Sequence, residues 1–454
     1  MKTIHTILTT LSFILSAILS VILLPSCEDF LDLSPSNSIP SDRAITDAGT
    51  LRAAVVGAYS QLQDYYSGSY VSLGVMPADF VSYNGTLSQY LQLDQNAIPN
   101  DNVITVGVYR TIYRAINSAN SIIASVASID DPLLTQAEKD NILGEAYFIR
   151  ALAYFDLARG WGGVQIQLKP TETLDVLKGI QRSSQAGTYD QVAADLAEAE
   201  RLLTDDASTR NRAQKATALA LRARLHLYRE QWDEAERYAT QVINNPKYAL
   251  VEPYEAFFTA PFLTEESVFE LTFSLNDRNS YWNMWFPASL GGQYTLKPSD
   301  KAVERLSDPD TGGSRNAAIA GTGSNVYGRL YNTAGQAIDP AYVIRIAELY
   351  LIRAEARAKK ASPDLAGATE DINKVRARAG VPPLTGVTGA PALIFAIEEE
   401  NGVEFAFEAH RWFDLVRTRR AGEVLGITNT DFWLFPLPSS DILSDPDVTQ
   451  NPGY

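Results

Sequence analysis

Apolar residues recur at three- and four-residue steps along most of this chain. Over residues 44–63, 108–128 and 136–159 they form the single stripe that an amphipathic helix buries against a neighbour. Two-residue alternation is rare: Gly163-Val-Gln-Ile-Gln-Leu168 shows it well, and Val268 to Phe273 forms a second short strand candidate. The pattern predicts a mostly α fold with a few short strands.

A repeat lies inside the helical pattern. Tyr189, Val192, Leu196 and Ala199 share steps of three, four and three with Trp232, Ala235, Ala239 and Val242, and again with Leu365, Ala368, Ile372 and Val375. Ala223 and Ala356 each stand nine residues before the bulky member of their set. A small residue in a first helix, a bulky one at the turn and a small one early in the second resemble the tetratricopeptide pattern. The small residues let paired helices approach, and the bulky one fills the gap. Ordinary helical hairpins share the 3-4-3 spacing; the Ala-to-bulky offset favours repeats, near 140–203, 215–245 and 343–380. Segments rich in Gly, Pro and aromatics, near 65–102 and 246–340, interrupt the helices, and long interruptions of this kind are usually functional.

The amino terminus has a different pattern. One lysine, Lys2, precedes an uncharged run from Ile7 to Leu24, followed by Pro25, Ser26 and Cys27. This is the layout of a secretory signal. A membrane-spanning anchor is the rival, but Glu28, Asp29 and Asp32 follow where a stop-transfer helix carries Lys or Arg. Leu24-Pro25-Ser26-Cys27 resembles a bacterial lipobox, which implies a lipid anchor on Cys27. The acidic residues after it resemble the surface-export signal of Bacteroidetes lipoproteins. No disulfide is possible, because the chain has one cysteine; a buried free thiol fits this position poorly. The expected organisation is a signal at 1–26, a tether at 27–42 and one helical domain at 43–454.

Composition narrows the function. With 46% apolar and 20% charged residues the chain can bury a large core. A net charge of −16 disfavours nucleic acid and anionic membrane surfaces as partners. There are 22 Tyr and 6 Trp against 3 His, which suggests contact surfaces rather than acid–base or metal chemistry. No Gly-x-Ser-x-Gly, HExxH or P-loop occurs. His5 lies in the signal, and His226 and His410 fall inside helices. Glu398, Glu399 and Glu400 could suggest a glycoside hydrolase, yet they read as acids at a helix start, where the dipole favours them. Asp308-Pro-Asp310-Thr-Gly312-Gly313 reads as a turn, since a calcium loop needs a later glutamate that is missing. No cofactor or metal is expected.

The positive candidates are aromatics in the interruptions, because sugars lay C–H faces on Trp and Tyr rings while Asn, Asp and Arg take hydroxyls. The first segment offers Tyr65, Tyr66, Tyr70, Asp79, Tyr83, Asn84 and Tyr90. The second offers Arg278, Tyr281, Trp282, Trp285 and Tyr294. The ligand-binding expectation rests on Tyr83, Asn84, Tyr90, Arg278, Tyr281, Trp282, Trp285 and Tyr294. The alternative for each ring is packing of loop onto helix.

Several blocks closely resemble the SusD/RagB family of Bacteroidetes surface lipoproteins: "LRAAVVGAYSQLQD", "EAYFIRALAYFDLARGWGGVQIQL", "RIAELYLIRAEARAK" with "INKVRARAGVPPL", "IEEENGVEFAFEAHRWFDLVRTRRAG" and "DFWLFPLPSSDILSDPDVTQNPGY". Gly160-Trp161 stands where members often have Tyr-Gly. The resemblance implies an outer-membrane lipoprotein that binds a nutrient, most often a glycan and in some members a peptide. It also implies delivery to a SusC-like TonB-dependent transporter, without enzymatic activity. The rivals are a secreted polysaccharide-degrading enzyme and a protein-interaction module using the repeat grooves. No fixed motif of the family assigns ligand residues, and the recognisable blocks read as scaffold.

Overall fold

Asp47 starts the first helix because it forms a reciprocal cap. Its carboxylate accepts from the Thr50 N–H at 2.8 Å, and the Thr50 hydroxyl oxygen accepts from the Asp47 N–H at 3.0 Å. The computed structural model describes residues 44–171, 173–205 and 209–454, so the expected signal, Cys27 and the tether lie outside it. Residues 47–454 form one compact unit. Its helices and strands, in chain order, are α1 (Ala48–Tyr66), α2 (Ser69–Val75), β1 (Val81–Tyr83), α3 (Ser88–Asp94), α4 (Val103–Ser125), α5 (Gln136–Trp161), α6 (Gln185–Leu202), α7 (Lys215–Tyr228) and α8 (Trp232–Ile243). There follow β2 (Ser267–Leu271), α9 (Tyr281–Trp285), β3 (Leu296–Pro298), α10 (Asp300–Ser307), β4 (Ile319–Ala320), β5 (Tyr327–Gly328) and β6 (Ala341–Arg345). The chain closes with α11 (Ile346–Lys359), α12 (Leu365–Arg378), α13 (Ala390–Glu404), α14 (Arg411–Arg417), α15 (Ala421–Leu425) and α16 (Ser439–Ser444).

The mostly α expectation holds, and each repeat-like set lies on the second helix of a hairpin. α5 packs on α6, α7 on α8 and α11 on α12. The hairpins also stack: α6 meets α7, and α8 meets α11 across about a hundred intervening residues. Ala223, Ala235, Ala239, Ala356 and Ala368 are fully buried at these contacts, as the close-packing argument requires. Val192, Leu196 and Ile372 are buried with them, each worth roughly 1.5–3 kcal/mol of transfer from water. The second interruption thus leaves the helical stack after α8 and returns through β6. Its base is closed by β2 pairing antiparallel with β6.

The Gly-Trp-Gly-Gly block turns the chain at the end of α5. Gly162 has φ +79°, and a Cβ on Gly163 would lie 1.8 Å from the Ser183 carbonyl oxygen, so these two glycines make the turn. Gly160 instead lies within α5 against the Phe435 ring. The expected strand at 163–168 is reduced to a single bridge between Gln165 and Arg182. The reason is hydrogen bonding: the Gln167 N–H donates to the Tyr154 hydroxyl, and the Gln167 carbonyl accepts from Tyr154 and Asn120. Side chains have taken the main-chain groups a partner strand would need.

A buried ion network joins the insertion to the last repeat. Glu404 accepts from Arg345 at 2.9 Å, from Arg315 at 2.8 Å and from Arg378. Glu266 pairs with Arg345 at 2.6 Å and Arg378 at 2.5 Å, Glu408 with Arg345 at 2.6 Å, and Glu400 with Arg315 and Arg376. The sequence reading placed Glu398–Glu400 at a helix start; they lie in the second half of α13, and pairing rather than the dipole explains them. Glu398 meets Arg420, and Glu399 meets Arg305. Glu404 and Glu408 pair across the fold with Arg345, and Arg411 forks onto Asp79.

Candidate functional site

The two interruptions meet each other. β1, from the first, pairs antiparallel with β3, from the second, in the register Val81–Pro298, Ser82–Lys297 and Tyr83–Leu296. Beyond the last pair the Asn84 N–H donates to the Thr295 carbonyl at 2.9 Å, and the Asn84 side chain donates to the Tyr294 carbonyl at 2.9 Å. Tyr294 has φ +53° and reaches sideways, its hydroxyl donating to the Val326 carbonyl at 2.5 Å beside β5. Tyr83 stacks on Tyr90 of α3 with ring centroids 6.2 Å apart and planes within 19°. The loop after β1 wraps this ring: the Leu87 N–H donates to the Tyr83 hydroxyl, and a Cβ on Gly85 would collide with the ring.

The result is a half-buried Tyr83–Tyr90 pair beside the exposed Asn84 amide and half-buried Tyr294. Leu87 and Leu91, both solvent-exposed, extend the apolar surface next to it. Burial and the neighbouring Tyr83 raise the Tyr90 hydroxyl above its usual pKa. The site can offer ring faces, apolar edges and one amide. The Asp94 carboxylate behind the pair accepts from the Tyr83 N–H at 2.9 Å, and burial raises its pKa.

Four of the eight expected ligand residues therefore converge: Tyr83, Asn84, Tyr90 and Tyr294. The others separate. Tyr281 is 1% exposed, stacks on Tyr331 at 4.2 Å and donates to the Tyr66 carbonyl. Trp285 is also 1% exposed, 4.8 Å from Phe407, with Gly328 packed on its ring. These two rings have no free face, which corrects the ligand expectation for them. Trp282 is buried against Phe286, its indole N–H without a partner among the described residues. Arg278 is exposed but lies in the 274–278 turn near Asp64, donating to the Leu275 carbonyl at 3.1 Å, apart from the ribbon.

The start of the first interruption is core. Tyr65 and Tyr66 end α1, Tyr70 lies in α2, and all three hydroxyls donate to buried Asp156 at 2.5–3.0 Å. Asp79 accepts from Arg411 at 2.8 Å and Lys301 at 2.7 Å; against the raising effect of burial, these cations hold its carboxyl below the usual range. A carboxylate engaged by two cations positions β1 instead of binding a ligand. Sequence reasoning missed the β1–β3 pairing because three-residue strands leave no periodic signal. The adjacency of Tyr83 and Asn84 was the available clue.

His226 Nδ1 is 2.6 Å from the Gln231 side-chain oxygen, with the ring stacked on Tyr238, and His410 stacks on Phe405 at 4.4 Å. Both pack. Asp308 makes a local turn, its carboxylate accepting from the Asp310 N–H at 2.8 Å. Among the described residues no group of metal-binding side chains converges, and no helix is long and apolar enough to cross a membrane.

Comparison with known proteins bears on this geometry. The SusD-like family described as starch-binding and associating with the outer membrane matches residues 29–227, and the SusD family matches residues 264–426. A SusD-like protein of Formosa agariphila is 26% identical over 96% of this chain and 97% of its own length. A SusD superfamily protein of Bacteroides vulgatus has the same fold, with TM-score 0.80 and 21% identity over 90% of this chain and 99% of that one. A laminarin-binding SusD-like protein superposes with TM-score 0.78 and 21% identity, over 90% and 100% of the two chains. With both halves matched and the fold shared over 90% of the chain, the chain belongs to the SusD family, a family of binding proteins and not of enzymes.

Proposed function

We propose that this protein captures an extracellular glycan at the Tyr83–Tyr90–Asn84–Tyr294 rim and presents it to a SusC-like TonB-dependent transporter in the outer membrane. Lipid on Cys27 would hold it at the cell surface. The observation that carries the reading is the β1–β3 ribbon, which joins two separate insertions and gathers their rings and an amide on one accessible edge. Support comes from the laminarin-binding protein of the same fold. Tyrosine rings beside an amide suit a ligand of C–H faces and hydroxyls. Binding without cleavage would leave that ligand intact for transport.

The test has two parts. Calorimetry against a panel of oligosaccharides should show saturable binding of one glycan class, with the ligand recovered uncleaved. Detergent extraction of membranes should co-purify a large barrel protein. Cleavage of the ligand would overturn the reading, as would purification of the protein only ever alone. Binding confined to peptides would overturn the glycan assignment.

A further inference from the structure

A second concavity lies away from the ribbon. A groove of about 1100 Å³ runs between one face of α4, the 165–179 segment and residues 441–448. None of its lining residues belongs to β1, β3 or the loops beside them. Its volume slightly exceeds the roughly 300–1,000 Å³ typical of small-molecule sites, so it has room for an oligomer.

Its polar groups are unevenly engaged. The acids are occupied: Asp445 accepts from the Gln165 side chain at 2.9 Å, Asp447 from the Gly179 N–H at 3.1 Å, and Asp441 lies 3.8 Å from Arg110. By contrast Arg114, exposed and within electrostatic reach of Asp64, and the side chains of Ser118 and Gln167 have no hydrogen-bond partner among the described residues. The Gln61 side-chain oxygen is buried without one. Asn117 accepts from the Thr171 N–H at 2.7 Å, which leaves its two amide hydrogens unused. Native structures rarely leave a buried polar atom such as the Gln61 oxygen unmet. Tyr109 and Tyr113, with ring centroids 5.1 Å apart, form the wall beside these groups.

We infer that this groove is a second binding site and that its ligand is an oligosaccharide. Free amides, a hydroxyl and a guanidinium beside tyrosine rings supply donors, acceptors and apolar faces, the combination that polyhydroxylated rings use. A peptide in extended form needs a run of main-chain partners, and three of the carbonyls here are spent. The Gln165 carbonyl accepts from Tyr113, that of Gln167 from Tyr154 and Asn120, and that of Lys169 from Asn120. Strand addition along that row of carbonyls is disfavoured. The argument stands independently of the ribbon site.

The experiment is hydroxyl-radical footprinting of Tyr113 with calorimetry, using β-1,3-, β-1,4- and α-1,4-linked glucose hexasaccharides and an oligogalacturonate as probes. The full mature protein is compared with Tyr83→Ala/Asn84→Ala and with Gln61→Ala/Arg114→Ala/Gln167→Ala. None of these three side chains makes a hydrogen bond to another described residue, so the melting temperature of the triple variant should match the wild type. At least one probe should protect Tyr113 in the wild type and in the ribbon variant. The triple variant should lose that protection and weaken this binding event about tenfold. Unchanged Tyr113 labelling with every probe would overturn the inference, as would wild-type binding by the triple variant. Protection that disappears in the ribbon variant would overturn the independence of the second site. Groove protection without any ribbon-dependent binding would count against the ribbon reading alone.

Discussion

Replacing Glu404 with Gln removes one charge from the buried network and almost no volume. Glu404 is fully buried, and all three buried arginines of the network, Arg315, Arg345 and Arg378, donate to it. Against the raising effect of burial, these three cations hold its pKa at about 2, so at neutral pH the network depends on its charge. An amide can accept from one or two of the guanidiniums but neutralises none. Breaking a buried ion pair from one side typically costs about 3–5 kcal/mol, because the partner charge stays buried without compensation. That is a large share of the roughly 5–15 kcal/mol total stability of an ordinary domain. Urea unfolding at pH 7, followed by circular dichroism, should show this loss for Glu404→Gln with an unchanged slope. The exposed Arg52–Glu138 pair gives the control: Glu138→Gln should cost no more than about 1 kcal/mol. A cost for Glu404→Gln no larger than for the control would refute the claim that this network clamps the insertion onto the repeats.

Three further outcomes follow from the same packing. Trp285→Ala should cost about 3–5 kcal/mol in thermal or urea unfolding, as for other buried tryptophans, because its ring fills the space between Phe407 and Gly328. Asp156→Ala strands the hydroxyls of Tyr65, Tyr66 and Tyr70 and the Arg159 guanidinium, and should lower the melting temperature more than Glu138→Gln does. Glu270 is 1% exposed, and burial pushes its carboxyl up to about 7. A raised pKa contributes stability below the unfolded value of about 4.5 that is lost as pH rises through 7, by roughly 3 kcal/mol at most. Glu270→Gln should flatten that part of the stability–pH curve, and an unflattened curve would assign the slope elsewhere.

The helical scaffold was legible because long amphipathic helices repeat their signal. Tyr189, Val192, Leu196 and Ala199 announce α6 four times over, and the Ala-to-bulky offset announces the later hairpins. The short elements were not. β1 is three residues long, and Ala341–Arg345 is buried along its whole length, so neither alternates. The strand expected at 163–168 failed because alternation does not show that Tyr154 and Asn120 occupy the ladder positions. Among the candidate site residues, composition could flag aromatic-rich segments but could not separate rims from cores. Tyr83 and Trp285 are both large aromatics in the interruptions, and only the tertiary contacts bury one and leave the other half open. The groove beside α4 had no sequence signal, since Gln61, Asn117 and Gln167 are unremarkable until the fold brings them together.

The central claim is that the edge where the two insertions meet is the glycan-capture surface. Its most direct test is calorimetric titration of the wild type and of Tyr83→Ala/Tyr90→Ala with whichever glycan of the panel binds, at matched melting temperatures. The account predicts at least a tenfold loss of affinity at that site, the combined effect of two rings each worth about 1 kcal/mol or somewhat more. Unchanged affinity in a folded double variant would contradict it and move the capture surface elsewhere on the molecule.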